Sequence, residues 1–393
     1  MTLRSVTLIG WLGLGSWLVA GCGTPSAPPA STSPDAASMA DSDGIPVFEL
    51  DQNWPKRPFP NQWVFGNVAG MAMDANDHLW VIHRPLSVTL SNDYAALDPP
   101  AGECCRPFPA IIEFDPSGEV VQAWGGPDPA APESKRTAEG YDWPREHGLF
   151  VDHDGNVWTG GAEPGAATVT KLTGDGQLIF QKGAFGQSAG NADTENFGSP
   201  AGIYVDADAN EVYVADGYEN NRVIVLDADT GAFKRMWGAY GNEPLDGDEE
   251  YDPDAPPSQQ LRLPVHCVEL SRDGLVYVCD RAGNRIQVFR KDGTFVQEGI
   301  VAPRTLGFGA AFDIAFSADP DQRFLYLGDG ANKKVWILRR DTLAILDSFG
   351  TGGQYAGQFA IVHALETDSQ GNLYVGETVG GDRVQKFTFM GVR

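Results

Sequence analysis

Residues 266–281 read HCVELSRDGLVYVCDR. An apolar segment leads into a Ser-Arg-Asp-Gly turn. A Val/Tyr-rich segment follows and closes on Asp280. Alternation on both sides of an Asp-Gly turn is the pattern of an antiparallel hairpin. The same pattern recurs as GMAMDANDHLWVIHR at 70–84, HGLFVDHDGNVWTGG at 147–161 and AGIYVDADANEVYVADGY at 201–218. It recurs again as FDIAFSADPDQRFLYLGD at 312–329 and HALETDSQGNLYVGE at 363–377. A third segment, a Gly turn and a fourth segment follow in each copy. Six copies of four strands predict an all-β fold, a six-bladed β-propeller, because no blade can bury both of its faces alone. The sixth copy reaches the C-terminus, RVQKFTFMGVR, with only three segments. The apolar stretch Pro46-Val47-Phe48-Glu49-Leu50 lies ahead of the first copy and is expected to supply the missing edge strand.

Composition agrees with a turn-rich β protein: 393 residues include Gly 47 and Pro 27. Lys+Arg 28 against Asp+Glu 53 gives a formal net charge of -25. Nucleic-acid binding needs a positive field, so no nucleic-acid partner is expected. Charge-driven binding to an anionic membrane is disfavoured for the same reason. The N-terminus carries Arg4, an apolar run from Val6 to Ala20, and then Gly21-Cys22. This reads as a secretory signal over residues 1–21. Val19-Ala20-Gly21-Cys22 resembles the lipobox of bacterial lipoproteins, which implies a lipidated Cys22. Residues 22–44, rich in Thr, Pro, Ser, Ala and Asp, read as a disordered linker, and 45–393 as the propeller. The expected place is the bacterial cell envelope. Gly23 resembles the outer-membrane pattern, which implies the periplasmic face of the outer membrane. Contact with the membrane is expected through the lipid only, and the chain is expected to be a monomer. Four further cysteines remain: Cys104, Cys105, Cys267 and Cys279. An oxidising compartment permits disulfides, and four cysteines allow three connectivities. Folding the hairpin about 271–274 sets Cys267 opposite Cys279, where a bridge is feasible, and His266 opposite Asp280. Three inserts interrupt the period, at 85–109, 126–144 and the acidic 240–260, which is read as a solvated loop.

Only six histidines are present, and three share one register of the repeat: His147, His266 and His363. The intervening copies carry Ala69, Ala201 and Phe312 there. The first strand of each propeller blade lines the central channel. Equivalent residues on alternate blades therefore converge on the axis at one height. Three neutral imidazoles meeting at a point make a facial metal site with an open position, typical of catalytic zinc. Arg84, Tyr218 and Arg281 stand at the ends of second strands, so they ring the same mouth. His78 and His153 fall in turns and read as surface residues, and His83 receives no role.

Asp280-Arg281-Ala282-Gly283-Asn284-Arg285-Ile286-Gln287 resembles an NHL repeat. Over residues 46–393 the chain resembles the peptidyl-α-hydroxyglycine α-amidating lyase family. The resemblance rests on Trp80-Val81-Ile82-His83-Arg84, Trp143-Pro144-Arg145-Glu146-His147-Gly148-Leu149 and Ala215-Asp216-Gly217-Tyr218. It also rests on Leu263-Pro264-Val265-His266, Cys279-Asp280-Arg281 and Ile361-Val362-His363. It implies cleavage of a small-molecule or peptide carbinolamide, N-acyl-α-hydroxyglycine, to a primary amide and glyoxylate. His147, His266 and His363 would hold zinc. Arg84 and Arg281 would act in catalysis, an Arg fork gripping the glycine carboxylate. Tyr218 would take the hydroxyl proton. Calcium on the backbone carbonyls of Met71 and Leu149 is also implied, although the family's calcium Asp is replaced by Ala364. The family's disulfide positions hold Gly198 with Glu219 and Tyr277 with Val288. A non-catalytic NHL propeller that binds a protein or peptide is the alternative reading and predicts no tight metal. A lactonase-type propeller would hold calcium on carboxylates and Asn, and the three histidines argue against it.

Overall fold

The Asp-Gly turns close as the repeat requires. Gly274 N–H donates to Ser271 O at 2.9 Å, and Gly155 and Gly371 close their own turns in the same way onto Asp152 O and Asp368 O. In the computed structural model the described residues are 44–88, 102–126, 137–138, 141–143, 146–161, 165–247 and 250–393. They form six four-stranded antiparallel sheets. Each blade starts with an inner strand: Asn67–Met73, Glu146–Val151, Pro200–Asp206, Val265–Leu270, Asp313–Phe316 and Ile361–Thr367. These six strands contact one another in a closed ring around a channel. The predicted six-bladed propeller is therefore the observed fold.

Burial follows from that ring. Six apolar clusters occupy the six seams between neighbouring blades. Val81, Ile112 and Tyr374 fill the seam between blades one and six, and Val223, Val268 and Val276 fill that between three and four. Each fully buried Val, Ile or Leu contributes roughly 1.5–3 kcal/mol. The gain is realised only when the neighbouring blade is in place.

The expected closing strand is present. Pro46–Asp51 pairs antiparallel with Arg383–Val392, the third strand of blade six. Phe48 lies opposite Phe389 and Leu50 opposite Phe387. The Phe48 ring also meets Tyr326 of blade five edge-on at 5.2 Å. One strand thus completes blade six and seals it against blade five.

Of the three possible connectivities, the structure has Cys104–Cys105 and Cys267–Cys279. The second joins directly opposed residues of a hairpin, as the sequence count expected. The same count erred by one residue beside it. Val265, not His266, lies opposite Asp280, because the ladder slips between Val265 and Cys267. Cys22 and the signal and linker segments up to residue 43 lie outside the described residues, as do Pro144 and Arg145. Among the described residues no helix is long and apolar enough to cross a membrane. Deleting residues 45–52 is expected to lower Tm by about 10 °C or more. An unchanged Tm in a calorimetric scan would show that the ring closes without this strand.

Candidate metal centre

The three histidines reach the axis through β-bulges. In blade four the ladder runs Val265 to Asp280 and then Cys267 to Cys279, leaving His266 as the extra residue. In blade six it runs Val362 to Glu377 and then Ala364 to Gly376, leaving His363 extra. In blade two the slip falls at Gly148, directly after His147. A bulge breaks strict alternation and re-aims a side chain. Blades one and three slip at the same register but carry Ala69 and Ala201 there.

The imidazoles pack edge to face, with ring centroids 5.0 Å (His147–His266), 4.9 Å (His147–His363) and 4.8 Å (His266–His363) apart. One ligand nitrogen from each lies within 4.8 Å of the others. Backbone carbonyls of the intervening blades orient two of them. His147 Nδ1–H donates to Ala201 O at 2.7 Å, and His266 Nδ1–H donates to Phe312 O at 2.6 Å. A carbonyl can only accept, so the proton is assigned to Nδ1 and the lone pair to Nε2. His266 Nε2 and His363 Nδ1 are buried with no hydrogen-bond partner among the described residues. A buried unpaired polar atom costs about 1–3 kcal/mol. A cation on the lone pairs would remove that cost at Nε2. The site's donor set of three imidazoles suits zinc.

Burial, first of all, holds the three imidazoles well below their ordinary range. The positive fields of Arg84 and Arg281 add to this at His147 and His363, and Arg281 with the other two histidines adds to it at His266. The neutral form, which ligates metal, is therefore the resident form.

Arg84, Tyr218 and Arg281 do gather at this mouth. Tyr218 Oη lies 3.1 Å from His147 Nε2 and accepts from Arg281 NH1 at 3.2 Å. Arg281 Nε–H donates to Phe308 O at 3.0 Å, and its guanidinium lies 4.7 Å from the Phe312 ring centroid. Arg84 Nε–H donates to Glu146 O at 3.1 Å. Among the described residues neither Arg pairs with a carboxylate. Asp280, next to Arg281, is already taken by Arg285 Nε at 2.8 Å. Asp216 is likewise held by Arg222 at 2.8 Å. These buried pairs fix the hairpin ends from which Tyr218 and Arg281 project. Gly217 makes the approach possible, since a Cβ there would lie 1.9 Å from Val265 O.

Below the histidines the channel is lined by Met71, Leu149 and Ala364, together with three acids, Glu269, Asp313 and Glu366. Burial and mutual repulsion push Glu269 and Glu366 well up, and burial raises Asp313 to about 7. The Met71 and Leu149 positions are thus in the channel, but Ala364 offers no side-chain ligand between them. His83 is structural. It accepts from Gly66 N–H at 3.0 Å and faces Phe108 O and Pro109 O at 3.1 and 3.0 Å, while burial lowers it to about 4. Two further groups could in principle hold a cation, Asp74–His78–Glu113 and Asp152–His153–Asp154. In both, the leading Asp is engaged by amides of its own turn.

Comparison with known proteins agrees with the fold. The NHL repeat family matches residues 197–226. NHL repeat-containing protein 3 of Mus musculus is 26% identical over 363 residues, covering 87% of this chain and 84% of that protein. Peptidyl-glycine alpha-amidating monooxygenase B of Xenopus laevis is 26% identical over 84% of this chain. The chain spans only 34% of that relative's length. The Caenorhabditis elegans protein named probable peptidyl-alpha-hydroxyglycine alpha-amidating lyase pgal-1 is 26% identical over 62% of this chain and 61% of its own. A solved structure of streptogramin B lyase shares the fold at 13% identity, TM-score 0.50, over 87% of this chain and 98% of that one.

Two outcomes are expected. Gly217→Ala should destabilise the protein by about 2 kcal/mol or more, read from urea melts, because backbone stands where the methyl must go. Zinc affinity should change little between pH 7.5 and 6.0. Protons compete for an imidazole only as pH falls through its folded pKa, and all three are held well below 6.5. A steep loss across that window in competitive chelator titrations would contradict this electrostatic picture.

Proposed function

We propose that the protein is a zinc-dependent lyase that converts N-acyl-α-hydroxyglycine to a primary amide and glyoxylate. The observation that carries this reading is the contact of Tyr218 Oη with both His147 Nε2 and Arg281 at the three-histidine centre. The similarity to the worm protein whose name gives this activity supports it. His147, His266 and His363 would hold the ion through ring nitrogens. Bound zinc supplies a Lewis acid for a substrate oxygen and a fixed positive charge.

The chain's own groups divide the remaining work. Arg281 and Arg84 carry free charge at the mouth and suit the glycine carboxylate, which a guanidinium binds through a paired fork. As a phenolate, Tyr218 Oη, already accepting from Arg281, would be placed to accept the substrate's hydroxyl proton. As that proton leaves, the C–O bond becomes a carbonyl and the C–N bond breaks. The electron pair goes to the amide nitrogen, which takes from Tyr218 the proton that the hydroxyl gave up and departs as the primary amide.

The envelope location expected from Cys22 belongs to this proposal. The Cys267–Cys279 bridge is in keeping with an oxidising compartment.

The zinc-loaded protein is expected to release glyoxylate from N-acetyl-α-hydroxyglycine, and a chelator should abolish release. His266→Ala should lose the metal. Tyr218→Phe should keep zinc and lower kcat about 100-fold or more. Arg281→Ala should chiefly raise KM. Zinc-loaded protein that releases no glyoxylate would overturn the reaction, and a protein that takes up no metal would favour the partner-binding propeller.

A further inference from the structure

We propose that the loop tip Leu306–Gly309 selects the acyl group of the substrate, and that the group it takes is a hydrocarbon chain. The assignment rests on the lyase reading and deepens it.

The tip connects the fourth strand of blade four, Phe295–Ile300, to the first strand of blade five, Asp313–Phe316. In a propeller that connection arrives at the mouth where first strands begin, which is the histidine mouth. Leu306 is 63% exposed and Phe308 64% exposed. They stand on a held base. The buried Asn284 side chain donates to Thr305 O at 2.8 Å and accepts from Ala310 N at 2.8 Å, clamping both ends of the tip. Gly309, at φ +76, lies so close that a Cβ would meet Arg281 O at 1.9 Å. Tyr251 Oη, from the acidic insert, donates to Pro303 O at 2.6 Å and braces the same loop.

This tip is continuous with the candidate site. Arg281 donates to Phe308 O, and its guanidinium lies 5.9 Å from the Phe308 ring centroid. A glycyl unit spans about 3.6 Å. A carboxylate on Arg281 therefore leaves the acyl carbon within reach of the Phe308 ring, two residues along the tip from the exposed Leu306. Leu86, two residues past Arg84, and Val379, just past the end of a second strand, are exposed at this mouth too. Most other large exposed apolar side chains belong to the outer fourth strands, including Val121, Ile179, Phe233 and Val296. A cationic centre with an apolar rim matches an amphiphile bound head first.

The two side chains that the tip presents, Leu306 and Phe308, are apolar and carry no hydrogen-bonding group, which suits a hydrocarbon chain.

The test is calorimetric binding of N-acetylglycine and N-decanoylglycine, which lack the reactive hydroxyl, to the zinc-loaded protein. N-decanoylglycine is expected to bind at least about tenfold tighter, since burying two methylenes suffices for that. The Leu306→Ser/Phe308→Ser protein should lose most of that ratio with zinc content and Tm unchanged, and Phe308→Leu should keep it. Equal affinities, or a preference that persists in the double variant, would overturn the assignment. Turnover of the two matching α-hydroxyglycines separates the readings. Release of glyoxylate from both without acyl preference overturns the tip's role and leaves the lyase. Binding preference without any release supports the tip's hydrocarbon preference and overturns the lyase.

Discussion

The pairing of Pro46–Asp51 with Arg383–Val392 is the constraint on which the rest depends. A propeller blade has two apolar faces, and each face is buried only by its neighbour. An open ring of six would leave the seam between the first and last blades exposed, with Val68, Met71 and Tyr374 in water. Closure also sets the axis. His147, His266 and His363 are far apart in the chain, and nothing local brings them together. They meet because six first strands form a closed ring, and three of the five that bulge at one height carry a histidine there.

Charge is distributed against the overall composition. The chain carries a formal net charge of -25, yet the histidine mouth holds two guanidinium groups that pair with no carboxylate among the described residues. Placing Arg285 and Arg222 on the buried carboxylates at the hairpin ends satisfies those acids locally. Arg281 is thereby left free to face the channel. Burial keeps the imidazoles neutral and the same field adds to it, so the arrangement that would attract an anionic substrate also favours metal binding over protonation. The three acids deeper in the channel act with opposite sign, and burial, with mutual repulsion at Glu269 and Glu366, favours their neutral forms.

Much of this was legible in the sequence because repeats convert register into geometry. His147, His266 and His363 could be aligned by copy, and so could the second-strand ends that carry Arg84, Tyr218 and Arg281. What escaped was local backbone detail. Hairpin counting put His266 opposite Asp280, since a bulge leaves no mark in an alternation pattern. The carbonyls of Ala201 and Phe312 that orient the imidazoles are invisible by nature, because any residue supplies them. The channel acids were missed although a signal existed, for Glu269 and Glu366 each follow their histidine by three residues. The bond of Arg281 to Phe308 O was beyond reach, because it joins a repeat position to a connection of irregular length.

Alternation around the ring has a physical reason. With centroids 4.8–5.0 Å apart, three imidazoles already fill the axis, and six would not fit. The intervening blades therefore treat the three gaps between histidines differently. Phe312 walls the gap between His266 and His363, with ring centroids 5.5 and 6.0 Å from theirs. Ala201 leaves room in the gap between His147 and His266, and Tyr218 of the same blade reaches over it, 5.2 and 5.9 Å from the two rings. Ala69 leaves the third gap open, on the side where Arg84 acts on both His147 and His363. The repeat register and the second-strand ends beside it thus yield a wall, a phenol and a guanidinium around a single centre. The asymmetry of the centre comes from three small differences among six similar blades.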